Sequence, residues 1–258
     1  MIRDLKRKRL KAGLTQAQLG ELIHYSDTQV SAMETGGKPV TLAYLKLVDQ
    51  ALNLGDHFEV MWEELVKDAD APVWLREWLA IEREARVLRW YEHAFVPGLL
   101  QTEAYMRAIF SASHRLPANE VEQQVASRLE RQTILTMDDP PELFVVIDAM
   151  VIKRMAGSGQ VMVEQVEHLL ACADNPKIHL QVIPMSLGMY SGLAGAFILA
   201  DLPEAHKVGY VDNQLTAQIV ERAEDIASLG VSWDAVRDEA LPRSQTVELL
   251  KEAAKSWT

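Results

Sequence analysis

Residues 14 to 36, LTQAQLGELIHYSDTQVSAMETG, write two helix starts about eleven residues apart, and this stretch constrains the fold more tightly than any other. Thr15 is followed three residues later by Gln18, and Ser26 by Gln29. That is capping-box spacing: the hydroxyl accepts from the third helical N–H, and the Gln side chain returns to the N–H of the cap residue. An apolar residue precedes each cap, Leu14 before Thr15 and Tyr25 before Ser26, positioned to staple onto Leu19 and Val30. Leu19, Ile23, Val30 and Met33 fall three or four apart, so each helix offers one buried stripe to the other, and Gly20 lets them approach closely.

Two short helices joined by a tight turn make a helix-turn-helix, whose second helix enters the DNA major groove. Over about residues 2 to 55 the chain resembles the DNA-binding domain of the Xre and phage-repressor family. The resemblance rests on Arg9, Leu14, Thr15, Gln16, Leu19, Gly20, Ile23, Ser26, Val30, Glu34 and Gly36. His24 stands where that family usually has Gly, at a turn position that needs positive φ, a region His tolerates better than most residues.

By the family's geometry, the recognition helix opens at Ser26, and Asp27, Thr28, Ser31 and Ala32 reach base edges. Thr28 can donate, accept or offer its methyl to thymine, and Ala32 offers a methyl alone. Asp27 either accepts from a cytosine amino group or simply favours the helix dipole. Thr15, Gln16 and Gln18, with the free N–H groups of their helix, suit phosphate contact, and Lys38 is a second phosphate candidate. The family pattern pairs Glu34 with Arg9 as a structural link. Such heads usually work as homodimers on half-sites roughly 34 Å apart.

The chain has 258 residues, 48% of them hydrophobic, enough for a large core in one or two domains. No apolar run reaches eighteen residues and the charged N-terminus has no apolar segment behind it, so neither a membrane span nor a signal peptide is expected. One cysteine, Cys172, excludes a disulfide within the chain and points to a reducing compartment, with the cytoplasm as the expectation. Of the net charge of −11, residues 1 to 55 contribute +3, from eight basic and five acidic side chains, which leaves −14 on the rest. A basic head on an acidic body favours steering of DNA to one end.

The first helix is expected from about Arg3 to Ala12, closed by Gly13. After the break at Gly36–Pro39, Leu42, Leu45, Val48 and Leu52 mark another helix, and Asp56 with Glu59 repeats cap spacing ahead of a helix ending near Val66. The expected domains are a five-helix head over 1–66, a linker over 67–72 and an α+β body over 73–258 with a small, largely antiparallel sheet. Residues 74 to 110 and 119 to 137 read as helical, the first with a break at VPG (96–98). Strands are expected at 143–148, 178–184, 195–201 and 207–212, the last three antiparallel, with a helix near Val161–Ala173 after the first. Three helices follow, near Ala217–Leu229, Trp233–Glu239 and Ser244–Ser256.

The body also resembles a known domain. VPGLLQTEAYMRAI (96–109), ASRLERQTIL (126–135), ELFVVIDAMVIKRMAGSGQVMVEQVEHLL (142–170) and LQVIP (180–184) look like the C-terminal domain of a large group of actinomycete Xre-type regulators. That domain is of unknown function and is described as similar to toxin–antitoxin regulators. The resemblance implies a partner, a small protein encoded nearby, without naming the residues that touch it.

No catalytic constellation stands out. The seven His residues are scattered, and His168 with Cys172, four apart, is the sole metal-like spacing; no cofactor or metal is expected. Gly157-Ser158-Gly159 fits neither a nucleophile elbow nor a phosphate loop and reads as a turn. The loop MSLGMYSGLAG (185–195) reads as a plain connection, with a pocket or peptide-docking role as the alternative. The expectation is a dimeric, sequence-specific, DNA-binding transcriptional regulator, not an enzyme, whose body binds a small protein. The alternatives are a body that senses a small molecule and, further off, an enzyme fused to a DNA-binding head.

Overall fold

The computed structural model of the chain describes residues 2–35, 40–67, 73–112, 116–212 and 217–257. Lys38, the break at Gly36–Pro39 and residues 68–72 of the expected linker lie outside the described residues. The chain forms two compact units, Met1–Ala69 and Asp70–Thr258.

The first unit holds five helices: α1 (Ile2–Lys11), α2 (Gln16–Ile23), α3 (Asp27–Glu34), α4 (Leu42–Leu52) and α5 (His57–Lys67). Gly13, at φ 72°, turns the chain out of α1, and Asn53, at φ 53°, closes α4. Leu5, the α2–α3 stripe, and Tyr44, Leu45, Val48 and Phe58 make one buried core, each aliphatic or Phe side chain worth about 1.5–3 kcal/mol of transfer free energy. The start of α5 departs from the spacing. The Phe58 N–H donates to both oxygens of the Asp49 carboxylate at 2.8 and 3.0 Å, and the Glu59 N–H donates to it at 3.0 Å. The cap thus comes from α4, while Glu59 pairs with Lys46 at 2.7 Å.

The second unit follows the α+β expectation. Its elements are α6 (Val73–Glu84), β1 (Val87–Glu92), α7 (Glu103–Ala112), α8 (Ala118–Gln132), β2 (Glu142–Asp148), α9 (Met150–Lys153), α10 (Gly159–Ala173), β3 (Ile178–Ile183), β4 (Phe197–Asp201), β5 (Lys207–Asp212), β6 (Ala217–Val220), α11 (Ala223–Asp238) and α12 (Arg243–Ser256). The six strands are ordered β3-β2-β1-β4-β5-β6 in a mixed sheet. β1, β2 and β3 run parallel through helical crossovers, and β4, β5 and β6 continue antiparallel from β1.

Three expectations give way here. Residues 87–92, read as helical, form an inner strand of the sheet. Ala217–Val220 is a strand, and α11 runs unbroken from Ala223 to Asp238, through the gap expected between two helices. β3, expected beside the later antiparallel strands, instead lies on the outer side of β2 and parallel to it.

One sheet face, with Leu88, Trp90, Val145 and Leu180, packs under α6, α10, α12 and the 3-10 turn at Gly98–Leu100. The other, with Tyr91, Val146, Phe197 and Leu199, meets Trp233 and Val236 of α11. The outer edge of β3 is not left open. The Val182 carbonyl accepts from Leu241 N–H at 2.9 Å, and its N–H donates to Thr246 Oγ1 at 3.2 Å, so the residues leading into α12 occupy a row that would otherwise invite another strand.

A buried ion pair ties α6 to α8. Arg131 Nε donates to Glu82 at 2.6 Å, Trp78 Nε1 donates to the same carboxylate at 3.2 Å, and the Arg131 guanidinium lies 5.3 Å from the Trp90 ring centroid. The Glu82 side chain is 2% exposed, so removing its partner strands a charge in the core. Arg131→Met is expected to destabilise the body by about 3–5 kcal/mol, read as a lowered urea midpoint of tryptophan fluorescence, and Arg131→Met with Glu82→Gln to recover part of the loss.

Candidate nucleic-acid interface

Both capping boxes are closed. Thr15 Oγ1 accepts from Gln18 N–H at 3.2 Å while Gln18 Oε1 accepts from Thr15 N–H at 2.8 Å. Ser26 Oγ accepts from Gln29 N–H at 3.2 Å while Gln29 Oε1 accepts from Ser26 N–H at 2.9 Å. These bonds satisfy donors at the helix starts and fix where α2 and α3 begin. Leu19, Ile23, Val30 and Met33 are buried between them.

The turn between the helices depends on two residues. His24 adopts φ 60° and ψ 40°, the left-handed conformation its family position requires, and the N–H groups of His24 and Tyr25 both return to the Gly20 carbonyl. A Cβ on Gly20 would stand 2.4 Å from the Tyr25 carbonyl oxygen, so the turn itself forces glycine here.

α3 is held at its far end by an ionic node. Arg9 Nε and Nη2 donate to the two oxygens of Glu34 at 2.7 and 2.8 Å, and Arg9 Nη1 donates to the Leu14 carbonyl at 2.7 Å. The two side chains are 6% and 1% exposed. Gln16 Nε2 donates to Glu34 at 2.9 Å. One carboxylate therefore joins α1, the first residue of α2 and the end of α3. Burial acts to raise the Glu34 carboxyl, but the hydrogen bonds from Arg9 and Gln16 outweigh it and hold the group below its ordinary 4.5. The Gln16–Glu34 bond had no sequence signal, because its partners lie eighteen residues apart on different helices.

Of the residues singled out from sequence, Asp27 and Thr28 are exposed at the start of α3, and Ser31 and Ala32 lie half-buried one turn on. Asp27 Oδ1 accepts from the Thr28 N–H at 2.7 Å and from its hydroxyl at 3.2 Å. Thr15, Gln18 and Ser26 are exposed but committed to the caps, and Gln16 is half-buried against Glu34. The arrangement can insert the first turn of α3 into a groove while the free N–H groups at the start of α2 face a phosphate.

Polar side chains also meet inside the body. Tyr190 donates to Asp148 Oδ2 at 2.7 Å and meets the Tyr91 hydroxyl at 2.8 Å, which pins the 185–195 loop to the carboxyl ends of β1 and β2. Ser191, Gly192 and Ala194–Phe197 of that loop region line a cleft of about 300 Å³ with Asp212 and Ser232. Elsewhere, burial pushes the Glu92 carboxyl up to about 8 and the Arg128 guanidinium down to about 10, with Trp90 Nε1 donating to Glu92 and Arg128 to Gln101. His168 and Cys172 meet at 3.5 Å, and burial raises the thiol to about 11, away from the reactive thiolate range.

Two outcomes follow for the head. Gly20→Ala is expected to cost about 1–3 kcal/mol, seen as a lowered thermal midpoint of the helical signal. Glu34→Gln should cost most near neutral pH. A carboxyl with a depressed folded pKa contributes stability above its unfolded value near 4.5 and loses it as pH falls through the folded value. The difference in stability between wild type and Glu34→Gln, measured by denaturant titration, should therefore shrink steadily below about pH 5.

A helix-turn-helix profile matches residues 5–56, and the profile of a domain of unknown function, DUF5753, matches residues 75–252. No curated protein and no solved structure matches the chain. The head is that of a DNA-binding transcriptional regulator, and with more than half its length in the second match, the chain belongs to the DUF5753 family.

Proposed function

We propose that this regulator binds DNA sequence-specifically as a homodimer in the cytoplasm, and that its DUF5753 unit binds a small protein encoded nearby which changes DNA occupancy. One observation carries the reading: two capped helices locked by the Arg9–Glu34 node leave Asp27 and Thr28 exposed at the start of α3. On this reading Asp27, Thr28, Ser31 and Ala32 face base edges. Thr15, Gln16, Gln18, Ser26 and the loop residue Lys38 set the register on phosphates. The +3 head and −14 remainder support approach by one end.

A second reading has an observation of its own. The cleft beside Ser191–Phe197, about 300 Å³, falls at the lower end of the range for small-molecule sites, and favours a body that senses a metabolite. Thermal stabilisation of the full chain by a metabolite would favour it, whereas co-purification with the neighbouring small protein would favour the partner.

Selection of bound fragments from random duplexes tests the DNA reading. Thr28→Ala is expected to relax preference at one position per half-site by about 1–3 kcal/mol, and Gln16→Ala to weaken binding to all sequences alike. If both variants bind the selected operator with wild-type affinity, the groove assignment is wrong.

A further inference from the structure

We propose that Asp27 fixes Thr28 as a hydrogen-bond acceptor, so that the first turn of α3 selects a base bearing a major-groove amino group, adenine or cytosine. The proposal rests on the reading of α3 as the base-reading helix and goes beyond it to the chemistry of one readout position.

A threonine hydroxyl has one proton and can spend it once. Here it spends it within the protein: Thr28 Oγ1 lies 3.2 Å from Asp27 Oδ1, and a carboxylate has no proton to offer in return. The carboxylate is not free to turn away, because the same Oδ1 takes the Thr28 backbone N–H at 2.7 Å. Both side chains are exposed, so what they present outward is a set of lone pairs: those left on Thr28 Oγ1, and those of the carboxylate. In the major groove guanine shows N7 and O6, and thymine shows O4 and a methyl. Only adenine N6 and cytosine N4 donate. An all-acceptor surface meets guanine and thymine with lone pair against lone pair. A free threonine, whose hydroxyl rotates to suit its partner, would not discriminate in this way. Asp27 is thus a positioning residue that acts through Thr28.

The test uses the full-length chain and random duplexes, with wild type, Thr28→Val, Asp27→Ala and Asp27→Asn selected in parallel. Thr28→Val keeps the shape, loses the oxygen, and marks the base pair concerned. At that pair, replacing the amino-bearing base by an analogue without the group, 2-aminopurine for adenine or 2-pyrimidinone for cytosine, should lower wild-type affinity about fivefold or more. Asp27→Ala returns the hydroxyl proton, and the preference should relax until guanine and thymine are accepted within about twofold. Asp27→Asn keeps an oxygen on the Thr28 N–H and hydroxyl but turns the second carboxylate oxygen into an NH2 donor, so guanine or thymine should gain acceptance at the marked pair while the amino-bearing base is still bound. A merely structural Asp27 would change affinity and leave the preferred base alone. The proposal is overturned if wild type selects an operator but the amino group at the marked pair is dispensable, if 7-deazapurine substitution there is what weakens binding, or if Asp27→Ala leaves the preference intact. Selection of no operator by wild type would instead remove the base-reading assignment of α3, and the proposal with it.

Discussion

The geometry of the head depends on a pair of charges in its core. Arg9 and Glu34 meet through two bonds of 2.7 and 2.8 Å with almost no solvent on either side chain. Desolvating two such ions costs several kcal/mol each, and their attraction does little more than offset it, so the net contribution to stability is small. What the pair supplies is position. An apolar replacement could fill the volume, but it would accept nothing from Gln16 and donate nothing to Leu14. Because the Arg fork meets the carboxylate in a plane, the end of α3 is fixed in rotation as well as distance. The other end is fixed by the Ser26 cap and the left-handed His24. A helix of eight residues is marginal alone; held at both ends, it has one orientation to present.

The body repeats the device on another scaffold. Glu82 takes the Arg131 fork and the Trp78 indole, joining α6 and α8 over the ring of Trp90 on β1. β1 is the strand to which everything else refers: parallel neighbours lie on one side, antiparallel ones on the other, and apolar layers cover both faces. Its carboxyl end carries Glu92, whose carboxyl burial pushes up to about 8, and that of the adjacent β2 carries the buried Asp148, which accepts from Tyr190.

Spacing alone revealed what is encoded within a few residues, whereas the Arg9–Glu34 pair, twenty-five residues apart, was legible only through the family resemblance. Both capping boxes, the Gly13 stop, the α2–α3 stripe and the need for Gly20 are local, and each is present. The misreadings have a shared cause. VLRWYE shows no clean alternation because both faces are covered and each also carries one charged residue, Arg89 beside Tyr91 and Glu92 beside Trp90, so its period does not separate from that of α6. AQIV is short and adjoins a long helix, so its two periods ran together. Spacing reads along the chain and points to Asp56 at the start of α5, whereas Asp49 reaches that start from the neighbouring helix. The same limit hid the partner of Gln16. Side chains that act through space leave no mark on spacing.

On the proposed reading of α3, an acidic residue at its DNA-facing end looks unfavourable until the two competing energies are set side by side. A carboxylate about 4 Å from a phosphate in water is repelled by about 1 kcal/mol, and salt reduces that further. The penalty applies to every sequence equally, so it weakens non-specific and specific binding together. A correct contact to a base edge is worth about 1–3 kcal/mol, and only at the matching site. Asp27 therefore lowers affinity for bulk DNA by a small uniform amount while sharpening the choice at one position through Thr28. For a protein that must find few operators among millions of competing sites, the ratio of the two affinities matters more than either alone. On the reading advanced here, a negative charge on a recognition helix is then a source of selectivity, and its partner threonine is where that selectivity is expressed.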